Sequence, residues 1–163
     1  MKRTILIIAL LAVIAVMPAL AQTINANNPR PQFVSFNFGV PIRFNISDSS
    51  LSAAAGFGVN FAVIDNLTVG FDRLPAAGSA ANLLRLGLYV SDTFGAAFGL
   101  GIDGTTPTPV VQLSLGAFAN LFQARAASGL TYSMGLRIDY LGPATNFAGN
   151  GGVIFTLGVN FGI

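Results

Sequence analysis

Residues 34 to 46 read VSFNFGVPIRFNI, and this stretch decides the fold. Every even-numbered position in it is apolar, as Phe36, Phe38 and Ile42 illustrate, and the odd positions hold small residues, polar residues or proline. Successive side chains of a strand point to opposite faces, so this period of two predicts one long strand with two chemically different faces. Pro41 lies within it and removes one ladder donor, which a closed barrel tolerates poorly.

The same alternation recurs seven more times, which gives eight runs in all. The later runs begin near Leu51, Leu67, Leu84, Phe94, Val111, Leu130 and Val153. Transmembrane strands need about 9 to 11 residues when they are tilted, and most of the runs are long enough. We therefore predict outer loops at 47–50, 74–82, 104–109 and 142–152, and a longer connection on the other side at 118–129.

One motif within the fifth run suggests a different function. Residues 99 to 104 read GLGIDG and match the G-x-G-x-x-G spacing of dinucleotide-binding loops. That motif needs a helix directly after it, whereas the residues that follow, 105–109, read TTPTP and do not begin a helix. Gly99 and Gly101 are instead interpreted as part of the small-residue face of a strand.

Side-chain volume predicts which face points outward. One face carries mainly Phe, Leu, Val and Ile, and the other carries mainly Gly, Ala, Ser, Thr and Asn. A closed tube of eight strands has room inside only for modest side chains, so the bulky face must point outward into lipid. We predict an all-β fold, an eight-stranded antiparallel up-and-down transmembrane β-barrel. The alternative is a secreted, soluble, lipocalin-like barrel that binds an apolar ligand, because such barrels alternate as well.

The N-terminus has the layout of a secretory signal peptide. Lys2 and Arg3 precede an apolar run, and Ala19, Leu20 and Ala21 provide a small-residue cleavage site. The apolar run is shorter than the ~20 residues of a spanning helix, which argues against a retained membrane anchor. We predict a signal peptide at 1–21, a flexible periplasmic lead at 22–32 and the barrel at 33–163.

Composition argues against several functions. Beyond residue 21 the chain holds six arginines and six aspartates, with no lysine or glutamate, so no basic surface favours nucleic acid. Histidine and cysteine are absent, which removes the usual general base, thiolate nucleophile and soft metal ligands. We expect no catalytic residues, no metal and no cofactor, and we do not expect an enzyme.

In this pattern the chain resembles the small eight-stranded outer-membrane barrels, the class of the OmpA membrane domain, OmpX and OmpW. The resemblance covers about residues 33 to 163 and is clearest in the final strand. It implies that this strand is the signal read by the barrel-assembly machinery, although the chain ends in isoleucine where the family usually has Phe or Trp. The residues that match this signal are Phe155, Leu157, Val159, Phe161 and Ile163.

Several of the inward-facing strand positions hold charged residues. We expect three arginines and three aspartates to lie in the lumen toward the extracellular end, either as a gate that selects solutes or as a salt-bridge network that fills the lumen. The six residues are Arg43, Asp72, Arg85, Asp103, Arg137 and Asp139. The expected role is therefore a structural barrel or a narrow channel for small solutes. Its location would be the cell outer membrane of a Gram-negative envelope, with outer-membrane lipid and the assembly machinery as partners.

Overall fold

A computed structural model describes residues 34–64, 66–76, 79–91, 93–104, 108–126, 128 and 130–163. The predicted signal peptide and periplasmic lead lie outside these residues. The described chain forms nine strands, with one short 3-10 helix at Ala144–Asn146 between the last two. The strands are β1 (Val34–Asn45), β2 (Leu51–Ala53), β3 (Gly56–Ile64), β4 (Leu67–Ala76), β5 (Ser79–Tyr89), β6 (Phe94–Asp103), β7 (Val110–Arg125), β8 (Thr131–Pro143) and β9 (Gly152–Gly162).

All pairings are antiparallel, and the sheet closes on itself. Neighbours in sequence are neighbours in space from β3 to β9, and β9 pairs with β1 from Ser35↔Gly162 to Asn45↔Gly152. The short strand β2 pairs with β1 beyond the end of β3. Together β2 and β3 therefore occupy the place of one strand in the barrel wall, which has eight strands. The prediction of an eight-stranded antiparallel up-and-down barrel is confirmed.

The break between β2 and β3 lies between two prolines. Pro41 of β1 faces the break from one side, and Pro75 of β4 lies on the other side, beyond the last β3–β4 pair at Arg73. Neither proline has an N–H to donate to a ladder. The Ala54 N–H still donates to the Pro41 carbonyl at 3.3 Å, and β2 and β3 keep the same register against β1. The barrel therefore accommodates Pro41 by interrupting the neighbouring strand.

Two connections differ from the sequence prediction. Residues 74–82 were expected to form an outer loop, but β4 runs to Ala76 and β5 begins at Ser79. The 118–129 connection is mostly strand as well, because β7 extends to Arg125. At residues 74–82 the period of two fades because small apolar residues occupy both faces. The hydrogen-bonded pairing of β4 with β5 nevertheless continues to Ala76↔Ser79.

The outer surface is apolar around the barrel. Phe36, Phe38, Phe57 and Phe61, from the first two runs, are 47–51% exposed, so none of them fills the lumen. The prediction that the bulky face points outward is confirmed. Within the described residues, no helix is both long enough and apolar enough to cross a membrane. Other exposed apolar side chains include Leu86, Leu88, Leu100, Ile102, Leu115, Met134, Leu157 and Val159.

The glycines of GLGIDG lie where the strands approach each other closely. Gly101 is in β6 and pairs with Leu83 of β5. A Cβ atom on Gly101 would overlap the backbone carbonyl of Asn82, which cannot move without distorting β5. Gly104 lies just beyond β6, and a Cβ there would meet nothing within 4 Å. The packing of the strands therefore requires glycine at position 101, whereas the space around Gly104 would admit a side chain.

We predict that Gly101→Ala destabilises the barrel by about 1–3 kcal/mol, the usual cost of overpacking. Gly104→Ala is the matched control and should leave stability unchanged. Urea unfolding of detergent-solubilised protein, followed by heat-modifiable gel mobility, measures both variants. Equal stability of the two variants would contradict the close approach at Gly101.

Candidate functional site

Four of the six predicted lumen charges meet in a closed ring across the lumen. Asp72 of β4 and Arg85 of β5 come from one wall, and Arg137 and Asp139 of β8 come from the other. Arg137 stands six residues from either end of β8, so the ring lies near the middle of the barrel. We call these four residues the charge ring.

Each arginine of the charge ring contacts both aspartates. Arg85 Nη2 donates to Asp139 Oδ1 at 2.6 Å and Arg137 Nη1 donates to Asp72 Oδ2 at 2.8 Å, so both hydrogen bonds span the lumen. Arg85 Nη1 lies 3.2 Å from Asp72 Oδ2, and Arg137 Nε lies 2.7 Å from Asp139 Oδ2. The ring is electrically neutral and connects the β4–β5 wall to β8.

Small neighbours make room for the carboxylates of the ring. A Cβ atom on Gly58 would overlap Asp72 Oδ1, and one on Gly116 would overlap Asp139 Oδ1. Ser114 Oγ adds a hydrogen bond to Asp139 Oδ1 at 3.3 Å. The inward glycines of the sequence pattern thus provide the space in which buried aspartates reach arginines from another strand.

Arg43 and Asp103 are buried but lie outside the charge ring, at the loop end of the barrel. Arg43 donates through Nη1 to the Pro75 carbonyl at 3.3 Å and through Nε to Asn45 Oδ1. Asp103 accepts a hydrogen bond from Ser79 Oγ. The sequence expectation placed all six charges toward the loop end, whereas the structure places two there and four near mid-height.

An apolar cluster lies on the loop side of the charge ring, beside Arg43 and Asp103, which pair with Ile154 and Ala81 of the cluster, and sequence analysis missed it. Leu74, Leu83, Leu141 and Ile154 point inward and are at most 2% exposed, with Ala76 and Ala81 in the same cluster. The signal was present in the register, because Leu74, Leu83 and Leu141 each stand two residues from a ring charge, on its loop side. We call this cluster the apolar plug.

The lumen on the terminal side of the charge ring is an open cavity of about 140 Å³, which the ring residues and both polar and apolar side chains line. A single water needs roughly 10–15 Å³ of cavity volume, so this cavity has room for several waters. Its lining carries four asparagines, and Asn160 donates to Ser133 Oγ at 3.0 Å. The polar lining includes Ser35, Asn37, Asn60, Thr68, Tyr89, Asn120, Gln123, Thr131, Ser133, Thr156 and Asn160.

The connection between β1 and β2 is a tight polar turn outside the barrel wall. The Ser50 backbone N–H and Ser50 Oγ donate to Asp48 Oδ1 at 3.0 and 2.8 Å, and Ser49 adopts a φ of 59° between them. These hydrogen bonds, the backbone one first, lower the pKa of Asp48 below its ordinary value. Asp48 is therefore ionised at neutral pH and holds the turn.

The five residues of the predicted assembly signal lie on the outer face at the end of the chain. All five side chains are at least 41% exposed. Phe155, Leu157, Val159 and Phe161 belong to β9, which pairs with both β8 and β1, and Ile163 follows it. Their recognition by an assembly machine stays a prediction.

Comparison with known proteins gives few matches. No known protein family and no curated protein matches the chain in sequence. One solved structure is described as "De novo design of transmembrane beta-barrels". Its sequence is 16% identical to this chain, the TM-score is 0.45, and the match covers 82% of this chain and 98% of the other chain. We therefore infer function from the residues of this chain. Among the described residues, no group of three or more potential ligands is placed to hold a metal ion.

We predict that Arg85→Met destabilises the barrel by about 3–5 kcal/mol, because it leaves a buried carboxylate uncompensated. The double variant Arg85→Met with Asp139→Asn keeps the lumen neutral and should recover most of this loss. Urea unfolding in detergent compares the two with the unmodified protein. A double variant no more stable than Arg85→Met would show that charge balance in the ring does not control stability.

Proposed function

We propose that this protein is an integral outer-membrane β-barrel with a structural role and a lumen that does not conduct solutes. The observation that carries the proposal is the outer surface, where large apolar side chains are exposed on every wall strand. Soluble monomers rarely expose apolar patches larger than a few hundred Å². A closed barrel leaves no unpaired sheet edge, which is what a strand protein needs in lipid.

The soluble, lipocalin-like alternative is less well supported. Such a barrel would keep its bulky apolar side chains inside, around an apolar ligand. Here asparagine, serine and threonine line the open part of the lumen alongside Phe118 and Leu136, and the apolar part is filled by its own leucines. An apolar ligand in this cavity would remove water from asparagine side chains without replacing their hydrogen bonds.

The charge ring and the apolar plug favour a blocked lumen over a narrow channel. The charges of the ring are paired with one another, and the plug side chains are almost completely buried. Removing water from an ion requires replacement partners, and the plug offers none. Of the two roles considered for the lumen charges, a network that fills the lumen is therefore better supported than a gate that selects solutes.

Location and partners follow from the same proposal. The signal peptide would direct export through the inner membrane, and the last strand would present Phe161 and Ile163 to the barrel-assembly machinery. Both chain ends of the barrel would face the periplasm, which places the apolar plug toward the extracellular side. The aspartates of the ring are neutralised by arginine, which favours a role without catalysis.

We predict that the protein sediments with membranes, resists extraction by carbonate or urea, and dissolves only in detergent. In an unheated gel the folded barrel should migrate apart from the boiled form, because a closed barrel keeps its shape in detergent until heated. Recovery of the folded protein from a buffer-soluble fraction would exclude the membrane assignment and favour the lipocalin-like alternative.

We also predict that purified protein gives no discrete conductance steps in planar bilayers, with an open porin as positive control. Arg43→Ala should be equally silent, because Arg43 lies outside the charge ring and its loss leaves the ring and the leucines of the apolar plug in place. Bilayer current recordings at several voltages test both proteins. Regular, reproducible steps from the unmodified barrel would overturn the blocked-lumen proposal and leave membrane insertion intact.

A further inference from the structure

One charged side chain lies on the wrong face for a lipid-exposed barrel. Arg73 of β4 is exposed and points outward, since it continues the outward series Leu67, Val69 and Phe71. Among strand residues whose side chains the structure describes, it is the one charged residue on the outer face. The structure gives it no ion pair with any described residue. Sequence analysis missed it, although its odd-numbered position within β4 was sufficient to place it outside.

Arg73 lies on the outer face among apolar side chains. It pairs with Phe57 on one side and with Asn82 on the other. Toward the chain termini its nearest outward neighbours are Phe71 and Leu84, which are 39% and 61% exposed. Toward the loops, no large exposed apolar side chain follows on β4 or β5. Arg73 and Asn82 therefore form a polar notch in the outer surface of β4 and β5, next to Ile102 of β6, which pairs with Asn82 and is 50% exposed.

The depth of the notch suits a group that reaches the membrane surface. Arg73 stands three residues before the end of β4 at Ala76. At about 3.3 Å per residue and a tilt of about 40°, its Cα lies roughly 8 Å below that end. An arginine side chain spans most of this distance, keeping its stem in the apolar layer and its guanidinium among headgroups. The same charge at mid-membrane would cost about 2–4 kcal/mol, whereas near the interface the cost falls to about 0–1 kcal/mol.

We propose that the notch of Arg73 and Asn82 binds the phosphate of an anionic lipid headgroup in the leaflet at the loop end. The guanidinium supplies a permanent positive charge and paired N–H donors that match phosphate oxygens. The Asn82 amide supplies a further N–H donor on the neighbouring strand. This inference rests on the proposed membrane location and adds a specific lipid contact to it.

The test uses the absence of tryptophan from the chain. A single reporter is introduced by Leu84→Trp, on the strand next to Arg73, and a control reporter by Leu115→Trp, on β7. Both positions are exposed on the outer face, at 61% and 51%. Each protein is placed in vesicles of phosphatidylcholine with increasing phosphatidylglycerol, with either lipid brominated. Quenching of the single tryptophan gives the relative binding constant of the two lipids at that site.

At the Leu84→Trp reporter we expect phosphatidylglycerol to be preferred about five-fold, the factor expected for one basic group near an anionic surface. Arg73→Gln should bring the ratio to about one, and Arg73→Lys should keep part of the preference. The Leu115→Trp reporter should show a ratio of about one throughout.

Three results would overturn the inference. They are no preference at the Leu84→Trp reporter, a preference that survives Arg73→Gln, and an equal preference at both reporters. The first of these is also the result expected if Arg73 contacts an acidic group of another protein. Failure of the membrane assignment is distinguishable, because tryptophan would then be quenched by neither brominated lipid.

Discussion

The closure of the sheet between β1 and β9 is the constraint on which the rest of the structure depends. Eleven residue pairs join the first strand to the last, from Ser35↔Gly162 to Asn45↔Gly152. Closure satisfies the backbone groups that an open edge would leave exposed, and it sets a narrow lumen. The narrow lumen in turn forces the bulky apolar residues outward and admits charges only where glycines leave space.

Within this lumen, each buried charge of the ring is balanced by two charges of the opposite sign. Arg85 and Arg137 each contact Asp72 and Asp139, so no charge of the ring depends on a single partner. Such a network is costly to break and contributes little net stability when complete. Its clearer effect is geometric, because it ties β8 to the opposite wall at one fixed register.

The sequence predicted the architecture well because one physical signal, the period of two, reports directly which face each side chain takes. The number of wall strands, the outward phenylalanines and the inward position of Arg85 all follow from it. It did not predict which inward charges meet, since contact between Arg85 and Asp139 depends on strand stagger around the barrel. It also did not predict the ends of β4 and β5, where leucine and alanine occupy both faces and erase the alternation. Arg73 was not predicted, because it stands next to the predicted outer loop at 74–82, where the alternation had already faded.

The division of the lumen into an open cavity and a filled apolar plug has an electrical consequence. The cavity at the end that carries the chain termini has room for water as far as the charge ring, while Leu74, Leu83 and Leu141 fill the lumen on the loop side of the ring. The low-dielectric path through the interior is therefore shorter than the barrel. A voltage applied across the membrane would fall mainly over the leucine layer, so the insulating part of this protein is a disc of a few side chains.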